Sequence, residues 1–193
     1  MPEAGELWDQ ADLTGLTHAV VNAGVAAAGA IEELAFAEWR RVMAANLDGA
    51  FLTLRAAMRA IRAGGRGGAI VVTASAAGVK AEPGIAAYGA SKAAVIQLAR
   101  IAAKEGAAAG IRVNAIAPGG VETALWAEMP FFQELVREKG SEAAAFEAMG
   151  GAATPLGRYA SADEIAGQIA FLLSGEAAFT TGACLVADGG WSI

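Results

Sequence analysis

Cysteine, histidine and charged residues are all scarce in this sequence of 193 residues, which has one cysteine, one histidine and 18% charged residues. The single cysteine, Cys184, cannot form an internal disulfide, and the N-terminal stretch MPEAGELWDQ contains no apolar signal region. We therefore expect a reducing, cytoplasmic setting. The net charge is −6, so the sequence lacks the basic surface that nucleic-acid binding requires, and nucleic acid is not an expected partner.

Long apolar runs are missing as well. Stretches such as 165–173 are too short to cross a bilayer, and the longer ones are interrupted by Lys, Arg or Glu, so membrane insertion is not expected. What the sequence does contain is 55% hydrophobic residues, with a mean hydropathy of +0.43. In a chain of this length that composition can bury a substantial core, and we expect residues 1–193 to form a single domain.

Four short β-type runs lie between long helix-favouring stretches, an alternation typical of a parallel α/β fold. The first three runs are apolar at consecutive positions, as expected for strands that helices cover on both faces. The sequence therefore predicts an open, doubly wound parallel sheet. The four runs are HAVVN at 18–22, AIVVTA at 69–74, IRVNAIA at 111–117 and ACLVA at 183–187.

Three long stretches between these runs predict helices. Residues 36–62 place apolar side chains at spacings of three and four, which is typical of an amphipathic helix. The alanine-rich stretch 85–108 is expected to pack against the sheet and against a subunit partner. At 161–174, Ser161 and Glu164 form the pattern of a capping box, which predicts a well-defined helix start.

A tyrosine and a lysine stand four residues apart near the start of the second long helix, in the string YGASK from Tyr88 to Lys92. This spacing places the phenol and the ammonium on the same helix face, one turn apart. The ordinary pKa of tyrosine, about 10, is too high for a base at neutral pH, and a nearby cation favours the phenolate. We therefore predict that Lys92 lowers the pKa of Tyr88. The same spacing also occurs on solvated helix faces.

Two further polar residues stand at informative positions. Ser75 closes the run AIVVTAS, and the carboxyl ends of strands in open α/β sheets are where ligands bind. Its hydroxyl could donate to a substrate carbonyl or, alternatively, satisfy only the local backbone. Asn46 lies in the middle of a helical stretch, where asparagine competes for backbone hydrogen bonds; this predicts a local kink, with a plain surface asparagine as the alternative.

Together these residues resemble the short-chain dehydrogenase/reductase family, over essentially the whole chain. Further strings agree with family segments in the same order, including a proline-glycine loop on the nicotinamide side and the segments before and after the last helix. The matching elements are NAG at Asn22-Ala23-Gly24, the helix asparagine Asn46, the serine Ser75, YxxxK from Tyr88 to Lys92, RVNAIAPGGVET at 112–123, PLGRYASADEIA at 155–166 and VADGGW at 186–191.

The resemblance implies an oxidoreductase that uses NAD or NADP to interconvert a secondary alcohol and a ketone. Tyr88 would exchange a proton with the substrate oxygen while the nicotinamide exchanges a hydride with the carbon, and Ser75 would position the carbonyl. Lys92 would bind the nicotinamide ribose, and Asn46 would hold a water that links Lys92 to solvent. The residues expected to bind the cofactor are Asn22, Ala23, Gly24, Tyr88, Lys92, Pro118, Gly119, Val121 and Thr123.

Family members open with a strand, a TGxxxGxG turn and a helix that receives the pyrophosphate. GGRGG at 64–68 precedes a strand instead of following one, and Gly24 to Gly29 lacks the spacing, so both are expected to be turns. We expect Met1 to Leu13 to be the tail of the helix before the NAG strand. The expected fold is a Rossmann-like doubly wound parallel sheet, N-terminally truncated by about 60 residues at ~30 per βα unit, with cofactor binding weakened or lost.

Such a truncation would leave the NAG strand at 18–22 as an unprotected apolar edge. We expect this edge to pair with another copy or with a protein that supplies the missing strands. The two long helices resemble those through which family members form dimers and tetramers, so a homo-oligomer is expected. Two alternatives to the alcohol oxidoreductase are a non-catalytic paralogue acting as an interaction module and an enoyl reductase, which the Tyr88-to-Lys92 spacing disfavours.

Three other features have structural and functional readings. His18 has no partner cluster at ligand spacing, so a structural role and no metal site are expected, and Cys184 is expected to be a small core residue. The segment 124–150 is helical in character, and we expect it to cover a substrate pocket. Its aromatic cluster could be core, but its position after Thr123 favours a wall suited to an apolar or cyclic carbonyl or alcohol. The cluster consists of Trp126, Met129, Phe131 and Phe132.

Overall fold

The structure, a computed structural model, describes residues 4–193. Its helices are α1 Ala4–Asp9, α2 Phe36–Met43, α3 Gly49–Gly64, α4 Ala86–Gly106, α5 Pro130–Lys139, α6 Glu142–Ala153 and α7 Ala162–Leu173. Its strands are β1 His18–Val21, β2 Gly68–Thr73, β3 Ile111–Pro118, β4 Val121–Glu122, β5 Ala160–Ser161 and β6 Cys184–Ala187. The helix expected within Met1 to Leu13 is present only as α1. Residues 10–13 are described and not helical, and residues 1–3 lie outside the described residues.

Four of the strands form one parallel sheet in the order β1-β2-β3-β6, and β4 pairs with β5 in a separate two-stranded parallel ladder. All four predicted β-type runs are confirmed as the strands of the main sheet. In the register of the sheet, Val20 lies beside Val71 and Ala115 lies beside Cys184. Among the described strands β1 has only β2 as a neighbour, so it forms one edge of the sheet, as expected.

Helices cover both faces of the main sheet, which confirms the doubly wound α/β prediction. On one face Ile70 and Val72 of β2 pack in a core with residues of α3 and α4, including Leu54 and Val95. On the other face, side chains of β2 and β3 pack under α7. Because successive strand residues point to opposite faces, one continuous apolar run supplies both cores. The second core is built from Val71, Ile116, Ile165 and Leu172.

β1 differs from this arrangement, and here the expectation of cover on both faces is wrong. Ala19 and Val21 pack against the α3/α4 core, but His18 is exposed and Val20 is 42% exposed. Val71, the register partner of Val20 in β2, is completely buried. The apolar runs of the two strands look alike in sequence but differ in burial. Burial depends on which elements pack over a strand and not on the strand itself.

The stretch predicted as one helix at 36–62 contains a local irregularity. α2 leads into a π-helical turn, Ala44–Asp48, and α3 follows directly. Within the turn, Gly49 N–H donates to Ala44 O, which is the wider spacing of a π-turn. Asn46 lies at the centre of this turn, so the local kink predicted from its position is confirmed.

α7 is fixed at both ends by side-chain hydrogen bonds. Ser161 Oγ accepts from Glu164 N–H at 3.2 Å, and Ser161 N–H donates to Glu164 Oε2 at 2.8 Å, which confirms the capping box. Hydrogen bonds from Arg158 and from the Ser161 backbone hold the pKa of Glu164 at about 2. At the other end, the guanidinium of Arg112 donates to the last carbonyls of the helix at 2.8–3.0 Å.

The two glycine-rich stretches are turns, as predicted. GGRGG at 64–68 connects α3 to β2, and Gly65 and Gly67 adopt positive φ angles of 68° and 70°. Residues 24–29 form a loop after β1 that does not open a helix directly. In the part of the chain that the structure describes, no helix is long and apolar enough to cross a membrane.

Candidate active site

The carboxyl edge of the main sheet gathers the segments that carry the predicted site residues. Residues 22–24 follow β1, Ser75 lies just beyond β2, and residues 118–123 end β3 and continue past it. Tyr88 and Lys92 come from the first two turns of α4. The carboxyl ends of parallel strands lie at one edge, so short segments from distant parts of the sequence converge there.

Ser75 lies beside the Tyr88 phenol, where its side chain lowers the pKa of that phenol. Ser75 also caps the 3-10 turn Ala76–Gly78, where its Oγ accepts from Ala77 N–H at 3.2 Å. Burial raises the pKa of the Tyr88 phenol, and the hydrogen bond with Ser75 offsets part of that increase. The structure therefore brings together the two side chains that were predicted to meet the substrate oxygen.

Lys92 is buried beside Tyr88, with only 5% of the residue exposed. Its Nζ donates to the carbonyl of Thr73 at 2.9 Å and lies 5.7 Å from the centre of the Tyr88 ring. Burial lowers the pKa of Lys92 to about 8. The prediction that Lys92 lowers the pKa of Tyr88 is not met, because desolvation dominates at the phenol and the ammonium is bonded to a backbone carbonyl instead.

Asn46 is 1% exposed and completely committed to protein partners, so the surface alternative is wrong. Its Oδ1 accepts from Val25 N–H at 2.8 Å, and its Nδ2 donates to Val25 O at 2.9 Å and to Ser91 Oγ at 3.0 Å. These bonds tie the π-helical turn to the loop after β1 and to α4. A water at Asn46, as the family resemblance implies, would have to use another lone pair or the backbone.

Gly24 brings the loop after β1 close to this cluster. A Cβ added at Gly24 would lie 3.2 Å from Asn46 Oδ1 and 3.3 Å from Lys92 Nζ. Asn22, Ala23 and Gly24 are themselves exposed. The missing side chain thus leaves a shallow cradle beside the ammonium, where a ring or sugar of a ligand can approach the backbone. The described residues fit the nicotinamide side of a dinucleotide in this respect.

The loop from Pro118 to Thr123 is shaped by close packing on its far side. A Cβ at Gly119 would lie 2.8 Å from Asp188 Cα, and one at Gly120 would overlap the ring of Tyr159. Close packing therefore explains why both positions are glycine, without any contact to a cofactor. The contact of Pro118 and Gly119 with the nicotinamide stays a prediction.

Thr123 lies apart from the hydrogen-bonded cluster, on an open cleft of about 280 Å³. Val121, just before it, belongs to the β4/β5 ladder. The cleft lining does not include Ser75 or Tyr88. The structure therefore brings Asn46, Ser75, Tyr88, Lys92 and Gly24 together and leaves Thr123 on a neighbouring surface. The cleft is lined by Glu122, Thr123, Ala124, Ala127, Phe132, Glu142 and Phe146.

Comparisons with known proteins show the family to which the chain belongs. A family sequence model described as "Enoyl-(Acyl carrier protein) reductase" matches residues 8–192. Cis-4-hydroxycyclohexanecarboxylate dehydrogenase of Sinomonas cyclohexanicum is 40% identical over 183 residues, which are 94% of this chain and 68% of that protein. This chain belongs to the short-chain dehydrogenase/reductase family. It spans about two thirds of the length of the relatives that it matches.

Two other comparisons show the range of this family. The crystal structure of carveol dehydrogenase from Mycobacterium avium in complex with NAD superposes with a TM-score of 0.84 at 31% identity, covering 91% of this chain and 64% of that one. A protein of Xanthobacter autotrophicus named inactive 2-(S)-hydroxypropyl-CoM dehydrogenase 2 is 39% identical over 178 residues, 92% of this chain and 73% of that protein. Family membership therefore gives the fold but does not decide activity.

In this short-chain dehydrogenase/reductase chain, the aromatic residues of 124–150 form a small core of their own. Phe132 is 2% exposed and packs on Phe146 with ring centroids 4.7 Å apart. Trp126 stacks on Tyr159 at 5.6 Å. These rings pack on one another and hold α5, α6 and the β4/β5 region together. They therefore have a role in the core, and only some of them can also contact a substrate. Phe132 and Phe146 also line the cleft beside Thr123.

Sequence reasoning missed two residues that support the site. Ser91 is fully buried and links Asn46 to the backbone of Tyr88 through its hydroxyl. Thr73 supplies the carbonyl that holds Lys92. Ser91 lies inside the YGASK string, but spacing alone does not show that a serine between two functional residues is bonded to a third. The carbonyl of Thr73 has no sequence signal at all.

The C-terminal segment is also tied to the site region by contacts that the sequence does not indicate. Lys80 Nζ donates to Trp191 O at 2.7 Å and lies 4.5 Å from the Trp191 ring centre. The carboxylate of Asp188 accepts from Gly190 N–H and Ser192 N–H, each at 2.9 Å. Residues 188–192 are thereby held close to the loop between Ser75 and Tyr88.

The remaining sequence candidates lie outside the cluster. His18 is exposed on β1, with its Nδ1 2.9 Å from Thr17 Oγ1. The described residues contain no group of three or more side chains suited to a metal ion. Cys184 is half-buried against the α3/α4 core, and burial raises the pKa of its thiol, in line with its expected packing role.

Proposed function

We propose that this chain carries the proton-transfer site of an NAD(P)-dependent oxidoreductase that interconverts a secondary alcohol and a ketone. The observation that supports the proposal is the cluster at the carboxyl edge of the sheet, where Lys92 lies 5.7 Å from the Tyr88 ring centre and Asn46, Ser75 and Lys92 are buried. These are the four residue types that the family resemblance assigns to catalysis. The relative named for hydroxycyclohexanecarboxylate supports an alcohol on a ring as the substrate class.

In the proposed reaction the Tyr88 phenol gives a proton to the ketone oxygen during reduction and takes it back during oxidation. The Ser75 hydroxyl holds the same oxygen. NAD or NADP, when bound, supplies or accepts the hydride at the carbon. Positioned acid–base groups of this kind typically contribute ~10²- to 10⁴-fold to a rate. Because burial raises the pKa of Tyr88, we expect reduction at neutral pH and an oxidation rate that increases with pH.

Lys92 and Asn46 organise the proton-transfer groups in this proposal. The Lys92 ammonium places a positive charge 5.7 Å from the Tyr88 ring centre, and Asn46 holds the backbone of Val25 and so the loop with Gly24. The nicotinamide half would lie between that loop and the end of β3. The residues that would hold it are Asn22, Ala23, Gly24, Tyr88, Lys92, Pro118, Gly119, Val121 and Thr123.

We further propose that segment 124–150 covers the substrate. Its cleft combines two phenylalanine rings with the Thr123 loop, which suits an apolar or cyclic alcohol. Enoyl reduction, the activity in the description of the matching family model, is less favoured. The reason is the family resemblance, which gives enoyl reductases a wider Tyr-to-Lys spacing than the three intervening residues between Tyr88 and Lys92.

Turnover of a cyclic alcohol with NAD and NADP tests the proposal. The experiment compares the parent chain with Tyr88→Phe and with Tyr159→Phe, which removes the other tyrosine. We expect Tyr88→Phe to reduce turnover by ~10³-fold, within the range of acid–base catalysis, and Tyr159→Phe to retain it. Equal turnover in the parent and Tyr88→Phe would contradict the proposal, as would a parent chain that binds dinucleotide without oxidising any secondary alcohol.

A second candidate function is a non-catalytic oligomerisation module, which the free edge of β1 favours. Val20 on this edge is 42% exposed, and one relative is named inactive. An exposed apolar edge can pair with a second copy of the chain by strand addition. Light scattering would then show a dimer that Val20→Lys dissociates, together with no dinucleotide binding at millimolar concentration. A stable monomer would contradict this candidate.

A further inference from the structure

The hydroxyl of Ser91 stands at the junction of three segments of the site. It donates to the carbonyl of Tyr88 at 2.7 Å and accepts from Asn46 Nδ2 at 3.0 Å, and the residue is 0% exposed. A serine hydroxyl has a single hydrogen, so the bond to Tyr88 O fixes its direction and turns a lone pair toward Asn46. The hydroxyl therefore connects the two partners in one orientation.

The amide of Asn46 depends on this contact for its own orientation. Nδ2 has two hydrogens, one bonded to Val25 O at 2.9 Å and the other to Ser91 Oγ, while Oδ1 accepts from Val25 N–H at 2.8 Å. Without the Ser91 hydroxyl, one buried N–H would lose its partner. A buried amide with an unpaired donor is penalised, so Asn46 would reorient or shift.

A shift at Asn46 or Ser91 reaches the proton-transfer pair through short covalent and hydrogen-bonded paths. Tyr88 lies three residues before Ser91 on α4, and Lys92 follows it directly. The Ser91 hydroxyl bonds to the Tyr88 backbone and to Asn46, not to the phenol or the ammonium. Its influence on chemistry must therefore be exerted through the placement of its neighbours.

We propose that Ser91 is a positioning residue that couples the amide of Asn46 to the Tyr88 turn of α4, so that the phenol meets Ser75. The effect on catalysis rests on the proposed function. The coupling between Asn46 and the Tyr88 turn does not, because it is a property of the folded chain. In an active protein Ser91→Ala is expected to lower kcat by about tenfold and to leave KM for the alcohol within about twofold, because the hydroxyl touches no substrate.

A spectroscopic titration tests the coupling without any turnover. The sequence contains two tyrosines, so Tyr159→Phe leaves Tyr88 as the single tyrosine whose ionisation is followed by tyrosinate absorbance against pH. The hydrogen bond with Ser75 lowers the pKa of Tyr88. In this background Ser75→Ala is expected to move the titration to higher pH, and Ser91→Ala to move it in the same direction by a smaller amount. The double variant should titrate like Ser75→Ala alone.

Thr53→Ala provides the matched control, since Thr53 Oγ1 donates to Gly49 O at 2.8 Å within α3 and makes a comparable helix-to-carbonyl bond away from the cluster. It should leave the titration unchanged. A folded Ser91→Ala chain that titrates like its parent would overturn the inference, as would shifts of Ser91→Ala and Ser75→Ala that add. If Ser91→Ala fails to fold, Ser91→Cys replaces it, and we expect a smaller shift of the titration in the same direction. The absence of any shift in Ser91→Cys would overturn the inference. If the parent chain shows no turnover, the proposed function is refuted, but the tyrosinate titration still tests the coupling through Ser91.

Discussion

The residues proposed for proton transfer and those proposed for the nicotinamide side lie at the same edge of the sheet but are held in different ways. Asn46, Ser75 and Lys92 are each less than 10% exposed and bonded to the protein. Asn22 to Gly24 and Thr123 are exposed. The chain thus preorganises the residues proposed for proton transfer, while the surfaces proposed for the cofactor are open loops whose shape comes from glycine packing.

The strands below these two regions repeat the contrast. β2, which leads to Ser75, is buried between two layers of helices, whereas β1, which leads to Gly24, is an edge strand with Val20 half-exposed. Rigid strands position side chains accurately, and an edge strand has fewer neighbours to restrain it. Substitutions in the two regions should therefore differ in kind, with chemistry and stability affected over β2 and ligand affinity affected over β1.

Among the substitutions that compare the two regions, Lys92→Met in the buried region is expected to have the largest effect. Turnover should decrease by ~10²-fold or more, in the range of acid–base effects. The variant should nevertheless be more stable at pH 7. Lowering the pKa of Lys92 from 10.5 to about 8 corresponds to ~3 kcal/mol of charge burial, and the lost hydrogen bond to Thr73 offsets about 1 kcal/mol. A net gain of about 1–2 kcal/mol in the free energy of unfolding should appear in urea titrations.

The pH dependence of that gain has a definite sign. Between about 8 and 10.5 the unfolded chain keeps the Lys92 proton while the folded chain releases it, so the stability of the parent increases across this window. The advantage of Lys92→Met should therefore shrink as the pH rises through it. Lys104→Met, at an exposed position of α4, should show no such trend. If Lys92→Met is less stable than its parent at pH 7, then burying the Lys92 ammonium does not lower the free energy of unfolding as proposed.

The next effect compares the two strands directly through Val71→Thr and Val20→Thr. The two valines are register partners on the same face, with 0% and 42% exposure. A buried hydroxyl without a partner costs about 1–3 kcal/mol, so Val71→Thr should lower the free energy of unfolding by about 2 kcal/mol. Val20→Thr should change it by less than about 0.5 kcal/mol. Equal costs would mean that the outer face of β1 is covered in solution.

These contrasts also show what sequence reasoning could reach. The four strands, the kink at Asn46 and the Ser161 capping box were predictable because each depends on local pattern or spacing. The exposure of Val20, the raised pKa of Tyr88 and the link through Ser91 were not, because they depend on which distant segments meet. Burial is decided by neighbours, and it raises the pKa of Tyr88 where a lowered pKa was expected, even though Tyr88 and Lys92 are where the YxxxK spacing places them.

The smallest effect is expected at the boundary between the two regions, from Gly24→Ala. The added Cβ would press on Asn46 Oδ1 and Lys92 Nζ at 3.2 and 3.3 Å, and the flexible lysine end can yield. We expect KM for the dinucleotide to increase about fivefold, or ~1 kcal/mol, with stability changed by less than that. Gly64→Ala, where nothing lies within 4 Å, is the matched control and should leave KM unchanged. Equal KM values in both variants would remove the loop after β1 from the proposed cofactor surface.

Isotope transfer tests the proposed oxidoreductase chemistry most directly. The chain would be incubated with NAD or NADP and a cyclic secondary alcohol carrying deuterium on its hydroxyl-bearing carbon, and the dinucleotide analysed by mass spectrometry. We expect one deuterium in the reduced dinucleotide with the parent chain and at most about one thousandth of that rate with Tyr88→Phe. A parent chain that binds the dinucleotide but transfers no deuterium, or a Tyr88→Phe chain that transfers it as fast as the parent, would contradict the account.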